Sequence, residues 1–369
     1  MAGAREPLSG APRAGSSRPV ALDPGVAAAR LSLAEACERL PAPEAVEAFA
    51  AVTGYGVAIV ELEGEAPKAA LEALAAALAR MPCPTLALAP DPAHPSAARL
   101  TPAFDVVASS PAEIEPVLRG VLRAPLAASA LVQLLRGGPA RDVEAGLAAE
   151  SWVYSMLQAG PEFAAWLASR PAPKPAAPSE RPPLRVERAG RVLRLTFDRP
   201  ARRNAYSAAL RDALCEALVL ALRDSSIEAV RLEGAGPCFS AGGDLAEFGT
   251  HPDPATAHAV RTARSAARWL ARLAPRLDAV VHGACIGAGV ELPAWAARLT
   301  AREDAFFALP EVGMGLVPGA GGTVSLPARI GRQRTAWLAL TGARIDAPTA
   351  RAWGLVDRVV PAGEAVPLP

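Results

Sequence analysis

A proline-rich segment near the middle of the chain most constrains its fold. Residues 170–183 read RPAPKPAAPSERPP, and proline at this density excludes helix and favours an extended linker. The chain of 369 residues is therefore predicted to contain two structured regions, residues 31–169 and 184–369. Residues 1–30 are rich in Pro, Gly, Ser and Arg and lack the apolar core of a signal peptide, which predicts a disordered tail.

Composition excludes several classes of partner. The chain carries 38 basic and 37 acidic residues without a long basic block, so neither nucleic acid nor an anionic membrane is an expected partner. The most apolar stretch, residues 69–79, contains Glu72 and is too short to span a bilayer. The five cysteines are scattered singly, as reduced thiols usually are. We therefore expect a soluble, cytoplasmic protein.

Strand and helix patterns alternate in both regions, which predicts an α/β fold. In the first region, strands are predicted at 57–62 and 85–89, and helices at 31–49, 67–81, 111–136 and 141–169. In the second region, strands are predicted at 192–197, 229–233, 279–282 and 305–309, and helices at 207–224, 255–273 and 291–297. Glycine-rich turns at 234–243 and 283–289 follow two of these strands.

Three familiar catalytic or binding signatures fail on an essential residue. The segment 319–323, GAGGT, lacks the Gly-Lys-Ser/Thr of a phosphate-binding loop. The segment 238–242, CFSAG, is not G-x-S-x-G, so Ser240 is not a predicted nucleophile. The four histidines lie in unrelated segments without a carboxylate or Cys at ligand spacing. No metal site is therefore predicted.

The remaining signal combines the two glycine-rich turns with two glutamates. Glu291 follows Ala288 by three residues, which places both on one face of a first helical turn. Glu311 follows the strand predicted at 305–309. Backbone amides beside carboxylates suit reactions that pass through an enolate, because the amides stabilise the oxyanion and the carboxylates transfer protons.

Five segments occur in the order typical of one family. GAGPCFSAGGDL at 234–245 and VHGACIGAGVEL at 281–292 closely resemble the two oxyanion-hole motifs of the crotonase (enoyl-CoA hydratase/isomerase) superfamily. DRPARRNAY at 198–206, LPEVGMGLVPGAGGT at 309–323 and LTGARIDAPTARAWGLVDRVV at 340–360 are similar to its other motifs. The resemblance covers roughly residues 184–361 and implies a spiral of ββα units.

The resemblance also implies roles for individual residues. The amides of Ala241 and Ala288 would be the oxyanion-hole donors, and Glu291 and Glu311 would be the acid/base pair of a hydratase. Asp244 is interpreted as a helix N-cap at the acyl-CoA site. No cofactor is implied, because coenzyme A is part of the substrate, and a homo-oligomer, a trimer or a pair of trimers, is expected. The full set of expected substrate and CoA contacts is Arg202, Arg203, Ala205, Gly242, Asp244, Leu245 and Gly289.

The arrangement of the chain departs from the family pattern. Family members continue with several helices after the position where this sequence reads GLVDRVVP. Residues 123–136 and 144–170 resemble those helices but precede the linker. We therefore predict that residues 31–169 are a degenerate crotonase-like region that supplies the covering helices, as in a circular permutation. The alternative is an unrelated α/β regulatory module.

Both hydratase glutamates are present, so the favoured function is an enoyl-CoA hydratase. An enoyl-CoA isomerase that uses one glutamate is the nearest alternative. A relative that acts on aromatic acyl-CoA, including the cofactor-free dioxygenase type, is less favoured. A non-catalytic acyl-CoA-binding subunit is the alternative from another class.

Overall fold

The computed structural model describes residues 27–138, 141–171 and 182–369. The predicted tail therefore lies outside the described residues up to residue 26. Residues 27–30 form the beginning of a strand, so regular structure starts four residues before the predicted end of the tail. Residues 172–181 of the predicted linker also lie outside the described residues.

The N-terminal half contains a parallel sheet in the order β1-β2-β3-β4. β2 and β3 are buried almost throughout, as apolar strands in a parallel sheet are. The elements are β1 (Ala27–Ser32), α1 (Leu33–Arg39), α2 (Ala45–Ala48), β2 (Tyr55–Glu61), α3 (Lys68–Leu78), β3 (Thr85–Leu88), α4 (Pro95–Leu100), β4 (Val106–Ala108), α5 (Pro111–Arg123), α6 (Pro125–Arg136), α7 (Val143–Gln158) and α8 (Pro161–Ala168).

The C-terminal half contains two sheets. One has the order β13-β10-β8-β7-β6-β5 and is parallel except for the hairpin β5–β6, and the other has the order β12-β11-β9. The elements are β5 (Leu184–Ala189), β6 (Val192–Phe197), α9 (Ala208–Arg223), β7 (Ala229–Gly234), α10 (Pro254–Ala263), α11 (Ala266–Leu273), β8 (Leu277–Val281), β9 (Ala284–Ile286), α12 (Ala288–Glu291), β10 (Arg298–Arg302), β11 (Phe306–Ala308), α13 (Gly322–Ile330), α14 (Arg332–Thr341), β12 (Ile345–Asp346), α15 (Ala347–Trp353) and β13 (Arg358–Val360).

The predicted α/β alternation is confirmed, but several predicted helices are divided. The helix predicted at 111–136 breaks at Ala124, because the residue before Pro125 is disfavoured in the helical conformation. The helix predicted at 255–273 breaks at Arg264, and Ser265 caps the second part through its hydroxyl. The helix predicted at 291–297 was wrong, since α12 already ends at Glu291 and Pro293 follows.

Helices of the N-terminal half pack directly against the C-terminal half. α7 packs against α10 and α13, and α5 and α6 pack against α14. Leu131 and Leu135 of α6 share one buried apolar cluster with Leu326 and Leu338. The contacts expected of covering helices are therefore present within one chain, and the crotonase-like origin of residues 31–169 stays a prediction.

Among the described residues, no single helix is long and apolar enough to cross a membrane. The pair α5 and α6 together meets the length and composition criteria but is bent by 111°.

Candidate active site

The two glycine-rich turns run side by side at the centre of the C-terminal half. The N–H of Ser240 donates to the carbonyl of Ala284 (3.1 Å), and the N–H of Ile286 donates to the carbonyl of Ser240 (3.0 Å). These bonds continue a parallel pairing between the turn after β7 and strand β9. Backbone amides of the two turns are consequently brought to one place.

Glycine is required where the turns approach each other and the second glutamate. Gly242 and Gly287 have φ angles of +89° and +52°, in the region that favours glycine. A Cβ at Gly242 would lie 2.8 Å from the carbonyl oxygen of Ile286, and one at Gly287 would lie 2.4 Å from Oε1 of Glu311. The glycines thus permit close packing of two backbones and a carboxyl group.

A cavity lies beside the two turns, and the residues of the turns that line it include Gly243 and Ala288. The N–H of neither residue has an acceptor within the part of the chain that the structure describes. Ala288 begins α12, where the first amides have no intrahelical partner. The prediction for Ala241 was wrong, because its N–H donates to the carbonyl of Arg203 at 2.9 Å. Gly243, two residues later, presents the unpaired amide instead.

Glu291 ends α12 with its carboxyl group buried. Oε2 accepts the N–H groups of Ala320 (2.7 Å) and Gly322 (2.8 Å). Burial, followed by the charge of Glu311, raises the pKa of Glu291 well above its ordinary value despite these hydrogen bonds. The side chain is therefore held in place by the backbone that precedes and begins α13.

Glu311 lies on the loop after β11 and faces the same cavity. Its Oε2 is buried and has no hydrogen-bond partner among the described residues. Burial raises the pKa of Glu311 to about 7. An unpartnered carboxyl with such a pKa is able to accept or donate a proton near neutral pH.

The N-terminal half completes the cavity. Glu150, Ser151 and Tyr154 of α7 line it together with Glu291 and Glu311. Glu150 is 3% exposed, and burial raises the pKa of its carboxyl group to about 7. Three glutamates therefore share one site, Glu150 and Glu291 buried and Glu311 half-buried with a buried Oε2. The described residues hold no group of His, Cys, Asp and Glu suited to bind a metal ion.

Comparison with known proteins identifies the family of the C-terminal half. Residues 187–367 match the family model described as enoyl-CoA hydratase/isomerase. The chain is 40% identical over 178 residues to the 2,3-dehydroadipyl-CoA hydratase of Escherichia coli K12, which covers 48% of this chain and 69% of that protein. The chain belongs to the enoyl-CoA hydratase/isomerase family, the crotonase superfamily.

Other crotonase relatives differ in their named activities. The 1,2-epoxyphenylacetyl-CoA isomerase of E. coli K12 is 35% identical over 46% of this chain and 66% of its own length. A probable mitochondrial enoyl-CoA hydratase of Dictyostelium discoideum is 33% identical over 48% of this chain and 64% of its own length. A solved enoyl-CoA hydratase of Mycobacterium smegmatis is 35% identical, with a TM-score of 0.46 over 49% of this chain and 71% of that one. The chain spans about two thirds of the length of these relatives.

Of the predicted substrate and CoA contacts, one lines the cavity and the others do not. Asp244 lines the cavity, accepts the N–H of Ala246 at 3.2 Å and pairs with Arg199 (3.4 Å) and Arg202 (3.3 Å). Its side chain therefore caps a turn, but no helix begins within residues 241–250, so the predicted helix N-cap role was wrong. The other predicted contacts do not line the cavity within the described chain: Arg202, Arg203, Ala205, Gly242, Leu245 and Gly289, the last of which lies within α12.

Sequence reasoning missed the contributions of Gly243 and Glu150 to this crotonase site. The amide of Ala241 donates to the carbonyl of Arg203. A contact between two separate loops therefore determines that the amide of Gly243, and not that of Ala241, is available as a donor. Glu150 lies in the segment 144–170 that resembles the terminal helices of the family. That resemblance was the available signal for its place at the site.

Proposed function

We propose that this chain is an enoyl-CoA hydratase, which adds water across the 2,3 double bond of an enoyl-CoA thioester. One observation carries the proposal: Glu291 and Glu311 face the same cavity as the unpaired amides of Gly243 and Ala288. Two amides and two carboxyl groups are the groups that hydration through an enolate requires.

The amides would bind the thioester oxygen. Negative charge develops on this oxygen when a nucleophile adds at C3, and preorganised N–H donors stabilise it by ~10²–10³ in rate per donor. Ala288 also lies at the start of α12. We assign the oxyanion hole to Gly243 and Ala288.

The two glutamates would move the protons. One ionised carboxylate takes a proton from water as the water oxygen bonds to C3, and the other, protonated, gives its proton to C2 as the enolate collapses. The sum of these steps is the addition of one water molecule. The raised pKa values of Glu291 and Glu311 support a coupled pair in which one carboxyl group keeps its proton more readily than an exposed glutamate does.

The test is the loss of absorbance of the conjugated thioester with trans-2-enoyl-CoAs. Glu291→Gln and Glu311→Gln should each lower kcat by ~10²–10⁴ and retain binding of a saturated acyl-CoA. The matched control is Glu216→Gln, on the exposed face of α9, which should leave kcat unchanged. Full turnover in Glu311→Gln contradicts the assignment.

An isomerase is the second candidate, because a relative of 35% identity is named 1,2-epoxyphenylacetyl-CoA isomerase. An isomerase moves a proton with one carboxyl group, and Glu311 has the unpartnered oxygen for this step. Its product has the mass of its substrate, whereas the product of hydration is heavier by one water. A chain that binds acyl-CoA and converts none of these substrates would instead be a non-catalytic subunit.

We also propose that residues 31–169 are a degenerate crotonase-like copy. The packing of α5, α6 and α7 on α10, α13 and α14 supports this origin over an independent regulatory module. A homo-oligomer, trimeric or hexameric, stays a prediction for sedimentation measurements on the full chain.

A further inference from the structure

The backbone amides of residues 320–323, at the start of α13, donate hydrogen bonds to two buried side chains, Glu291 and Glu150. Ala320 and Gly322 donate to Glu291, as described above. Gly321 donates to Oε1 of Glu150 (2.7 Å), and Thr323 donates to Oε2 of Glu150 through its N–H (2.9 Å) and its hydroxyl (2.7 Å). The donors therefore alternate along the chain between Glu291 and Glu150.

The loop conformation depends on glycine. Gly321 has a φ angle of +100°, which lets successive amides point to opposite sides. A Cβ at Gly322 would lie 2.5 Å from Cγ and 2.7 Å from Oε2 of Glu291. The N-terminus of α13 adds a favourable dipole for both carboxylates.

The two carboxylates are consequently linked through one piece of backbone. A buried carboxylate needs its hydrogen bonds, so Glu150 holds Gly321 and Thr323 in place, and these residues flank Gly322 on both sides. Motion of the loop away from Glu150 would also move the amides that hold Glu291. α7 thus fixes the loop from the N-terminal half of the chain.

We propose that Glu150 is a positioning residue for Glu291, so that α7 of the N-terminal half is an integral part of the active site. This inference deepens the proposed function and rests on it for the role of Glu291. Glu150 itself makes its polar contacts with the loop and is not assigned to proton transfer.

Replacement of Glu150 by glutamine tests the proposal in the full chain. The glutamine oxygen can accept one of the amides, but its NH₂ group opposes the other. Because misplacement of a catalytic group by ~1 Å can cost about 100-fold in rate, we expect kcat to fall about 10- to 100-fold with KM little changed. The control Glu144→Gln removes an exposed carboxylate of the same helix, bound to Arg268, and should leave kcat unchanged.

The pH dependence of kcat is a second test, because a purely structural role of Glu150 would leave it unchanged. The charged and titratable groups around Glu150 are Glu291, Glu311, Arg261 and Tyr154. The charge of Glu150 raises the pKa of both Glu291 and Glu311. Its removal should therefore shift the ionisations seen in kcat to lower pH, whereas Glu144→Gln should leave them unchanged.

Amide hydrogen exchange of residues 319–324, followed by mass spectrometry, tests the positioning step without turnover. We expect about 10-fold faster exchange in Glu150→Gln and wild-type exchange in Glu144→Gln. Unchanged exchange in the loop, or an unchanged kcat per folded molecule, would overturn the proposal. If the wild type hydrates no enoyl-CoA, the proposed function fails, and the exchange rates still decide whether Glu150 holds the loop. If Glu150→Gln does not fold, Thr323→Val removes one of the three hydrogen bonds and gives the same readouts with smaller changes.

Discussion

Asp105 holds a buried ion cluster that joins the two halves of the chain. It is 1% exposed and accepts hydrogen bonds from the N–H (2.8 Å) and hydroxyl (2.9 Å) of Thr85. Arg136 of α6 binds both carboxylate oxygens, and Arg332 of α14 donates to Oδ1 at 2.7 Å. We predict that Asp105→Ala destabilises the chain by about 4 kcal/mol.

The expected loss of stability follows from the unpaired arginine charges that Asp105→Ala would leave. Breaking a buried ion pair by removing one partner costs ~3–5 kcal/mol, because the remaining charge is uncompensated. Here the side chains of Arg136 and Arg332 are 8% and 19% exposed. Loss of the acceptor for Thr85 would cost ~1–3 kcal/mol alone, but the contributions of one network do not add.

Urea unfolding followed by circular dichroism measures this change. The matched control is Glu115→Gln, which removes an exposed pair with Arg119 one turn away on α5 and should cost less than ~0.5 kcal/mol. A loss below ~1 kcal/mol for Asp105→Ala would refute the view that this cluster stabilises the contact between the halves.

Two further predictions concern the cavity. Gly287→Ala places a Cβ 2.4 Å from Oε1 of Glu311 at a φ angle of +52°, so kcat for hydration should fall by about 100-fold; near wild-type kcat would show that the contact is not rigid. Burial raises the pKa of Glu311 from 4.5 to about 7. Between these two pH values the folded chain therefore binds more protons than the unfolded chain. Stability should therefore fall between pH 4.5 and 7 by roughly 3 kcal/mol for this carboxyl. Urea unfolding at pH 5 and pH 8 should show a smaller fall in Glu311→Gln, and an identical fall would contradict the assigned ionisation.

Local sequence pattern predicted the parts of the site that short segments determine. The strand β8, the glycine-rich turn after it and the beginning of α12 follow one another within a few residues. Their spacing therefore placed Ala288 and Glu291 correctly on one helical turn. The helix breaks at Ala124 and after Glu291 are caused by prolines that lie one or two residues away in the sequence. The predicted helices nevertheless extended through these prolines.

Contacts between distant segments could not be predicted in the same way. The choice between Ala241 and Gly243 depends on the carbonyl of Arg203, which lies 38 residues earlier and accepts the Ala241 amide. Glu150 lies 171 residues before Gly321, and its place is decided by the packing of α7 on α10 and α13. No local pattern carries that information, since an acidic residue on a helix usually faces solvent.

Incorporation of ¹⁸O from labelled water tests the central claim most directly. The purified chain would be incubated with short, medium and aromatic trans-2-enoyl-CoAs, and the products would be analysed by mass spectrometry. The proposed hydratase predicts a product that carries one solvent oxygen, with its formation lost in Glu311→Gln. Products without solvent oxygen, or labelled product formed equally by Glu311→Gln, would contradict hydration by the glutamate pair.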